Sequence, residues 1–190
     1  MDETHRFREA VAMQIDWVHV LITERHRPHT TWKIRQAAFF AFMHFCFLMV
    51  FLGHFVHNIV TWVLAFLLQV AALLLSIFHI SSVTDYADKM NNAMELEQQL
   101  NPLIIAELSI RCFALLHCLL MGGWLMGIAG LLELAYDYWI FRRGDFLVDA
   151  TTAWKKLGAL EMDSRVRLAY QGVMVIASIF SFIHFLVSMW

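Results

Sequence analysis

The sequence predicts an all-α membrane protein, a polytopic bundle of five transmembrane helices. Of its 190 residues 60% are hydrophobic and 16% charged, with a mean hydropathy of +0.60. Soluble domains run nearer half apolar and a quarter charged. No Asp, Glu, Lys or Arg occurs anywhere in 36–84. As helix that interval would extend about 74 Å at ~1.5 Å per residue, against a hydrocarbon core of ~30 Å, so it holds two crossings rather than one. A second charge-free run, 168–190, closes the chain.

The first 36 residues form a separate amphipathic segment. Phe7, Val11, Ile15, Val18 and Ile22 recur at spacings of three and four, the pattern of a helix with one apolar stripe. Arg27 and Pro28 stop it. Such a helix lies on the membrane surface or packs on the rest of the protein. Asp2, Glu3 and Glu9 precede any apolar run, unlike a cleavable signal peptide, so the first membrane helix is expected to act as its own insertion signal.

Inside the long apolar interval the most polar cluster is Gly53, His54, His57 and Asn58, suited to a tight turn at the far membrane face. It divides the interval into helices at about 37–56 and 59–81. Residues 82–101 then form a polar loop rich in Asp, Asn, Glu and Gln. Asn101 followed by Pro102 reads as a helix start, because asparagine caps free N–H groups and proline at the first helical position forfeits no bond. That helix runs to about Leu120, Gly122 and Gly123 turn the chain, and 124–140 returns. A second polar loop, 141–167, precedes the fifth crossing at 168–190.

Lys and Arg counts orient the chain, since cytosolic segments carry the excess. Residues 1–35 and 141–167 hold six each, and only Lys89 and Arg111 lie elsewhere. Five crossings place both rich segments in the cytosol, with a cytosolic N-terminus and a lumenal C-terminus. Four would separate them.

The formal charge of −2 carries no basic stripe of the kind that collects nucleic acid. Cys46, Cys112 and Cys118 show neither zinc spacing nor a disulfide framework and read as small buried side chains. No nucleophile elbow, phosphate-binding loop or HExxH motif is present, so no catalytic residues are assigned and an enzyme is disfavoured. The glycines at 122, 123, 127 and 130 would allow close helix packing.

Glu107 and Arg111, four apart, can pair on one helix face, and Glu133 and Asp137 are similarly spaced. An ionisable group within the membrane is a functional candidate, and Glu107 is the first to test. The competing reading has Glu107 and Arg111 snorkelling at the interface. His44, His54, His57, His79, His117 and His184 lie in or beside the spans. Polar anchoring between helices accounts for them, while ligation of haem or a metal is the other reading.

The stretch Ile77-Phe78-His79-Ile80, the acidic and asparagine-rich loop, and Leu100-Asn101-Pro102-Leu103 with Glu107 close behind resemble the cornichon family of eukaryotic membrane proteins. The resemblance continues through Trp124, Leu134-Ala135-Tyr136, Asp149-Ala150-Thr151 and Leu157-Gly158, covering about 60–190. The chain departs from the family pattern at Ala93 and Ala106, where proline is usual, at Glu97, where cysteine is common, and at Gly130 and Leu132, where asparagine and proline are common. Its last helix carries Phe180, Phe182 and Phe185 in place of a denser aromatic cluster. The implied organisation is a cytosolic segment at 1–36, an additional membrane helix at 37–58, and a cornichon-like four-helix membrane domain at 59–190.

The resemblance implies a cargo receptor or adaptor in the endoplasmic reticulum membrane and ER–Golgi vesicles, selecting transmembrane cargo proteins for the COPII coat without a cofactor. A stable auxiliary subunit of a channel or transporter is the alternative. By the same resemblance the coat would be met at Ala153, Trp154, Lys155, Lys156 and Leu157. The structural alternative is that Trp154 and Leu157 anchor an interfacial helix while the lysines meet anionic lipid. Candidates for gripping cargo or packing helices are Asn101, Pro102, Glu107, Arg111, Trp124 and Tyr136. The haem or metal reading is tested simply: purified protein is expected to show no Soret band and no stoichiometric metal, and either signal would reinstate it.

Overall fold

The computed structural model describes residues 3–23, 30–56 and 58–188. Among them every regular element is a helix: α1 Glu3–Ile15, a π-helical turn His19–Thr23, α2 Thr31–Val56, α3 Asn58–Ala87, α4 Ala93–Met121, α5 Trp124–Arg143 and α6 Ala153–Ser188. Four are long and apolar enough to cross a membrane, namely α2, α3, α4 and α6. The fifth expected span, α5, is not among them by composition, because Glu133 and Asp137 sit within its 20 residues. Arg27, Pro28 and His57 lie outside the described residues, so the expected stop of the first helix and the middle of the first turn are not assigned.

The helices group into two compact units, Met1–Leu64 and Ala65–Trp190. In the first unit α1 packs against α2, and Lys33 reaches Asp16 at 3.4 Å. The buried side of α1 and its continuation is Ala10, Gln14 and Val20, whereas Val11, Ile15 and Ile22 of the expected stripe are exposed. The 3.6-residue period was real, but the side it presents inward is the smaller and more polar one. Gly53 marks a close approach near the end of α2: a Cβ there would lie 2.8 Å from Thr61 Oγ1.

In the second unit each helix buries one stripe at spacings of three and four. On α3 this is Gln69, Ala72, Ser76, His79 and Val83; on α4 it is Leu100, Ile104, Glu107 and Arg111. On α5 it is Met126, Gly130, Glu133, Asp137 and Ile140, and on α6 Ser164, Arg167, Gln171, Met174 and Ser178. Large apolar side chains point the other way, with Leu67, Leu119, Leu132, Val173 and Phe180 all exposed. This suits a bilayer solvent, where lipid-facing surface must be apolar and polar groups must find partners inside.

Several boundaries move from their expected places. Helix α4 starts at Ala93 rather than at Pro102, and its cap is Asn92, whose Oδ1 accepts from Glu95 N at 2.8 Å. Pro102 is buried inside the helix, so its missing N–H falls in the interior, and the polar loop before α4 shrinks to 88–92. Likewise α6 starts at Ala153, leaving only 144–152 as the second loop. Helices α4 and α5 end in left-handed glycines, Gly122 at φ 72° and Gly144 at φ 75°, a conformation other residues adopt at a cost. Behind α3 the same role falls to Lys89, at φ 59°, with Met90 N donating to Asp85 O across it. The turn glycines do work as turns, but a Cβ at Gly127 would meet nothing within 4 Å and one at Gly130 only ordinary contact with Leu115. Cys118 is buried as expected, Cys46 is half-buried, and Cys112 is exposed.

Asn101, displaced from the capping role, fixes the 144–152 loop. Its Nδ2 donates to Val148 O at 3.0 Å and its Oδ1 accepts from Val148 N at 2.8 Å, a reciprocal pair across 47 residues of chain. Glu97, one turn earlier, accepts from Ala150 N at 3.0 Å. Between these anchors Phe146, Leu147 and Val148 are buried. Replacing Asn101 with Ala leaves both Val148 backbone groups without these partners, which costs about 1–3 kcal/mol. The expected outcome is a lower unfolding midpoint in detergent and faster hydrogen exchange at the Val148 amide, with α5 amides unaffected.

Candidate functional site

The most distinctive feature of the second unit is a buried ionic cluster built by all four of its helices. Arg111 on α4 is its centre. Its Nε lies 2.6 Å from Glu133 Oε1, its Nη1 donates to Asp137 Oδ2 at 2.7 Å, and its Nη2 donates to Glu107 Oε2 at 3.4 Å. Arg167 on α6 supplies a second guanidinium: Nε donates to Asp163 Oδ2 at 2.7 Å, and Nη1 lies 3.1 Å from Asp137 Oδ1 and 3.7 Å from Glu107 Oε2. Helix α3 contributes Ser76, whose Oγ donates to Glu107 Oε1 at 3.3 Å, and His79, whose Nδ1 stands 3.9 Å from the same oxygen.

Burial is nearly complete. Glu107 is 0% exposed, Arg167 2%, Asp137 2% and Arg111 4%. Glu107 and Arg111 therefore do not snorkel to an interface: their heads lie among other helices, paired with side chains. Tyr136 OH donates to Asp163 Oδ1 at 2.9 Å, tying α5 to α6 beside the cluster, and Tyr170 OH donates to Ala129 O. Phe146 of the second loop closes one side, with the Arg167 guanidinium 5.6 Å from its ring centroid. Deeper along the same helices Gln171 Nε2 donates to Gln69 Oε1 at 2.7 Å.

Of the sequence candidates, the structure brings Glu107, Arg111 and Tyr136 together in or beside this cluster. Asn101 and Pro102 lie about two turns away on α4, and Trp124, at the start of α5, is 73% exposed and takes no part. Ala153, Trp154, Lys155, Lys156 and Leu157 form the first turns of α6 rather than a loop. Trp154 is exposed with Lys155 Nζ 5.0 Å from its ring centroid, and Lys156 Nζ pairs with Asp145 Oδ1 at 2.5 Å. A cavity of about 340 Å³ lies alongside, lined by Trp139, Arg143, Leu147, Lys156 and Leu160 among others. Sequence reasoning missed Arg167, Asp163 and the Gln69–Gln171 pair. The signal available was the spacing of Asp163, Arg167, Gln171 and Ser178 along one helical face, obscured by reading 141–167 as a loop.

Among the described residues no three His, Cys, Asp or Glu side chains are placed to hold a metal ion. His79 faces Glu107, and His44 Nδ1 lies 2.7 Å from Phe40 O, so these two histidines are engaged in polar contacts inside the helices.

A multi-helix membrane protein whose spans are locked by an internal ion-pair network is the class this architecture defines. The family model described as "Cornichon protein" matches residues 58–180, about two thirds of the chain, and the protein belongs to the cornichon family. It is similar to "Protein cornichon homolog 1" of Oryza sativa subsp. japonica, at 28% identity over 97 residues, covering 51% of this chain and 72% of the relative. It is also similar to "Protein cornichon homolog 3" of Arabidopsis thaliana, at 24% over 124 residues, covering 65% and 90%. No solved structure matches. The matched region begins with α3 and takes in every member of the ionic cluster.

Removing one partner from a buried pair leaves its counterions uncompensated and costs about 3–5 kcal/mol. Arg111→Met takes the guanidinium away from Glu133 and leaves Glu107 and Asp137 to Arg167, and is expected to abolish a folded, monodisperse peak in detergent. Arg111→Lys keeps the charge but loses the fork that reaches three carboxylates. It is expected to fall between wild type and Arg111→Met in thermal stability, and equal melting of Lys and wild type would refute the role of the fork.

Proposed function

We propose that this chain is a non-enzymatic adaptor that selects membrane proteins for COPII-mediated transport from the endoplasmic reticulum to the Golgi. Membership of the cornichon family, over a match that takes in α3, α4, α5 and most of α6, carries the reading. In this reading cargo is gripped within the bilayer by the apolar outer faces of these helices, where packing and polar contacts replace the hydrophobic drive available in water.

The proposed topology has five crossings. Helix α5 is 20 residues long, about 30 Å at ~1.5 Å per residue, and its two acidic residues within the span face Arg111 rather than lipid. Residues 1–35 and the start of α6 then share the cytosolic side, in keeping with the Lys and Arg counts. The coat would meet Ala153, Trp154, Lys155, Lys156 and Leu157, where an exposed aromatic and two cations stand on a rigid helical turn.

Replacing Trp154, Lys155 and Lys156 together with Ala is expected to lower incorporation of the protein and its cargo into COPII vesicles several-fold in a budding reaction. The melting temperature should stay near that of wild type, because Trp154 is exposed and Lys156 makes exposed contacts, to Asp145 and to the Gly144 carbonyl. Unchanged packaging would overturn the coat-contact assignment, and co-purification with a channel at the cell surface would favour the auxiliary-subunit reading instead.

A further inference from the structure

The rod formed by α1 and the π-helical turn carries three distinct stripes. Asp16 N donates to Ala12 O at 3.2 Å and Val20 N to Asp16 O at 3.0 Å, so the helical path continues from Glu3 to Thr23. Ala10, Gln14 and Val20 are buried, whereas Val11, Ile15 and Ile22 are exposed, at 37%, 59% and 65%. His5, Glu9, Ala12 and His19 are exposed on a third side, with Asp16 half-buried among them. At ~100° per residue, the stripes of Ala10 and Gln14, of Val11 and Ile15, and of Glu9 and Asp16 stand about a third of a turn apart. A surface helix of a soluble domain needs only a core face and a water face, and a membrane span only a protein face and a lipid face. Three faces, one buried, one apolar and open, one polar and open, belong where protein, hydrocarbon and water meet.

The first turn of α2 marks that boundary. Trp32 is exposed, Lys33 and Arg35 follow, and no charged residue comes after them until Asp85; tryptophan and basic residues gather at headgroup level. The rod is fastened there, since Asp16 pairs with Lys33 at 3.4 Å while Trp17 reaches inward to His44, ring centroids 6.1 Å apart. We propose that residues 3–23 lie in the membrane interface as a surface helix, with Val11, Ile15 and Ile22 sunk into the hydrocarbon of one leaflet and His5, Glu9 and His19 in water. The partner is the acyl layer rather than a headgroup. A surface helix drawn to anionic lipid carries Lys and Arg on its polar face, whereas this face has His5, Glu9, Asp16 and His19, with Arg8 at its border and His5 paired to Glu9 at 3.6 Å. Residues 1–35 as a whole set six Lys and Arg against five Asp and Glu. Burial of three branched apolar side chains therefore holds the rod down. This placement is independent of what the membrane domain carries.

The test places a diazirine amino acid at single positions of the full chain in phosphatidylcholine nanodiscs and measures lipid adducts by mass spectrometry after illumination. Phe45, exposed on α2, is the reference for a lipid-facing site. Labels at Val11, Ile15 and Ile22 are expected to give adduct yields near that of Phe45 and several-fold above labels at Glu9, Ala12 and His19. The yields are expected to stay the same when phosphatidylserine replaces part of the phosphatidylcholine. Equal labelling of the two sides, or none at Ile15 while Phe45 labels, overturns the interfacial placement. Cross-links from Ile15 to a second chain also overturn it, by showing a protein on that face, and yields that climb with phosphatidylserine overturn the acyl-layer assignment. Ile15→Glu combined with Ile22→Glu, both at exposed positions, is expected to lower the Val11 yield several-fold and leave that of Phe45 unchanged. An unaltered Val11 yield in that variant overturns insertion through this stripe.

Discussion

A guanidinium surrounded by carboxylates, inside helices whose outer faces are hydrocarbon, constrains everything else in the membrane domain. An isolated charge there would be prohibitively costly. Arg111 is tolerable only because Glu107, Glu133 and Asp137 converge on it, and those are tolerable only because Arg111 and Arg167 stand between them. The requirement fixes the rotation of each helix about its own axis. A turn of α5 that faced Glu133 outward would expose a carboxylate to lipid and leave Arg111 short of a partner at once. Neutralisation also specifies partnership between helices, which apolar surfaces in a bilayer do poorly, since one leucine face packs against lipid about as well as against another leucine face.

The same constraint explains what could be read from the sequence and what could not. Long apolar runs announce lipid-facing surface, so α2, α3 and the latter part of α6 are plain in the hydropathy, as is the hairpin of α4 and α5 through its glycines. Polar residues inside spans are sparse, so they contribute little to any average and look like noise or loop. Arg167 and Asp163 read as loop in the sequence, because charge ordinarily marks the end of a crossing. Here charge continues the helix inward, and the true loop is the short segment pinned by Asn101 and Glu97. Asn101-Pro102 was misleading for a related reason: asparagine before proline usually starts a helix, but this asparagine spends its amide on the backbone of Val148, 47 residues away, a pairing that no local rule anticipates. Glu107 and Arg111 were recognisable as a pair from their spacing, whereas their burial depended on Glu133, Asp137 and Arg167 arriving from two other helices.

The two parts of the chain use these rules differently. Residues 58–180, where the family match lies, hold the buried ionic network and the anchored loop. Among the described residues the first unit holds exposed pairs, Lys33 with Asp16 and His5 with Glu9, a close approach at Gly53, and aromatic neighbours such as Trp17 and His44.

Helix α6 is a single rod of 36 residues running from the exposed Trp154 past Arg167 to Ser188. Between Trp154 and Arg167 the axial distance is about 20 Å at ~1.5 Å per residue, and no proline or helix break interrupts it. A continuous helix transmits torque as well as thrust. A ligand that rolled the outer turn of α6 would carry the Arg167 guanidinium and Asp163 with it, against Asp137 of α5 and Glu107 of α4. The outer handle and the inner lock are thus ends of one axle, and grasping either one is mechanically a way of addressing the other.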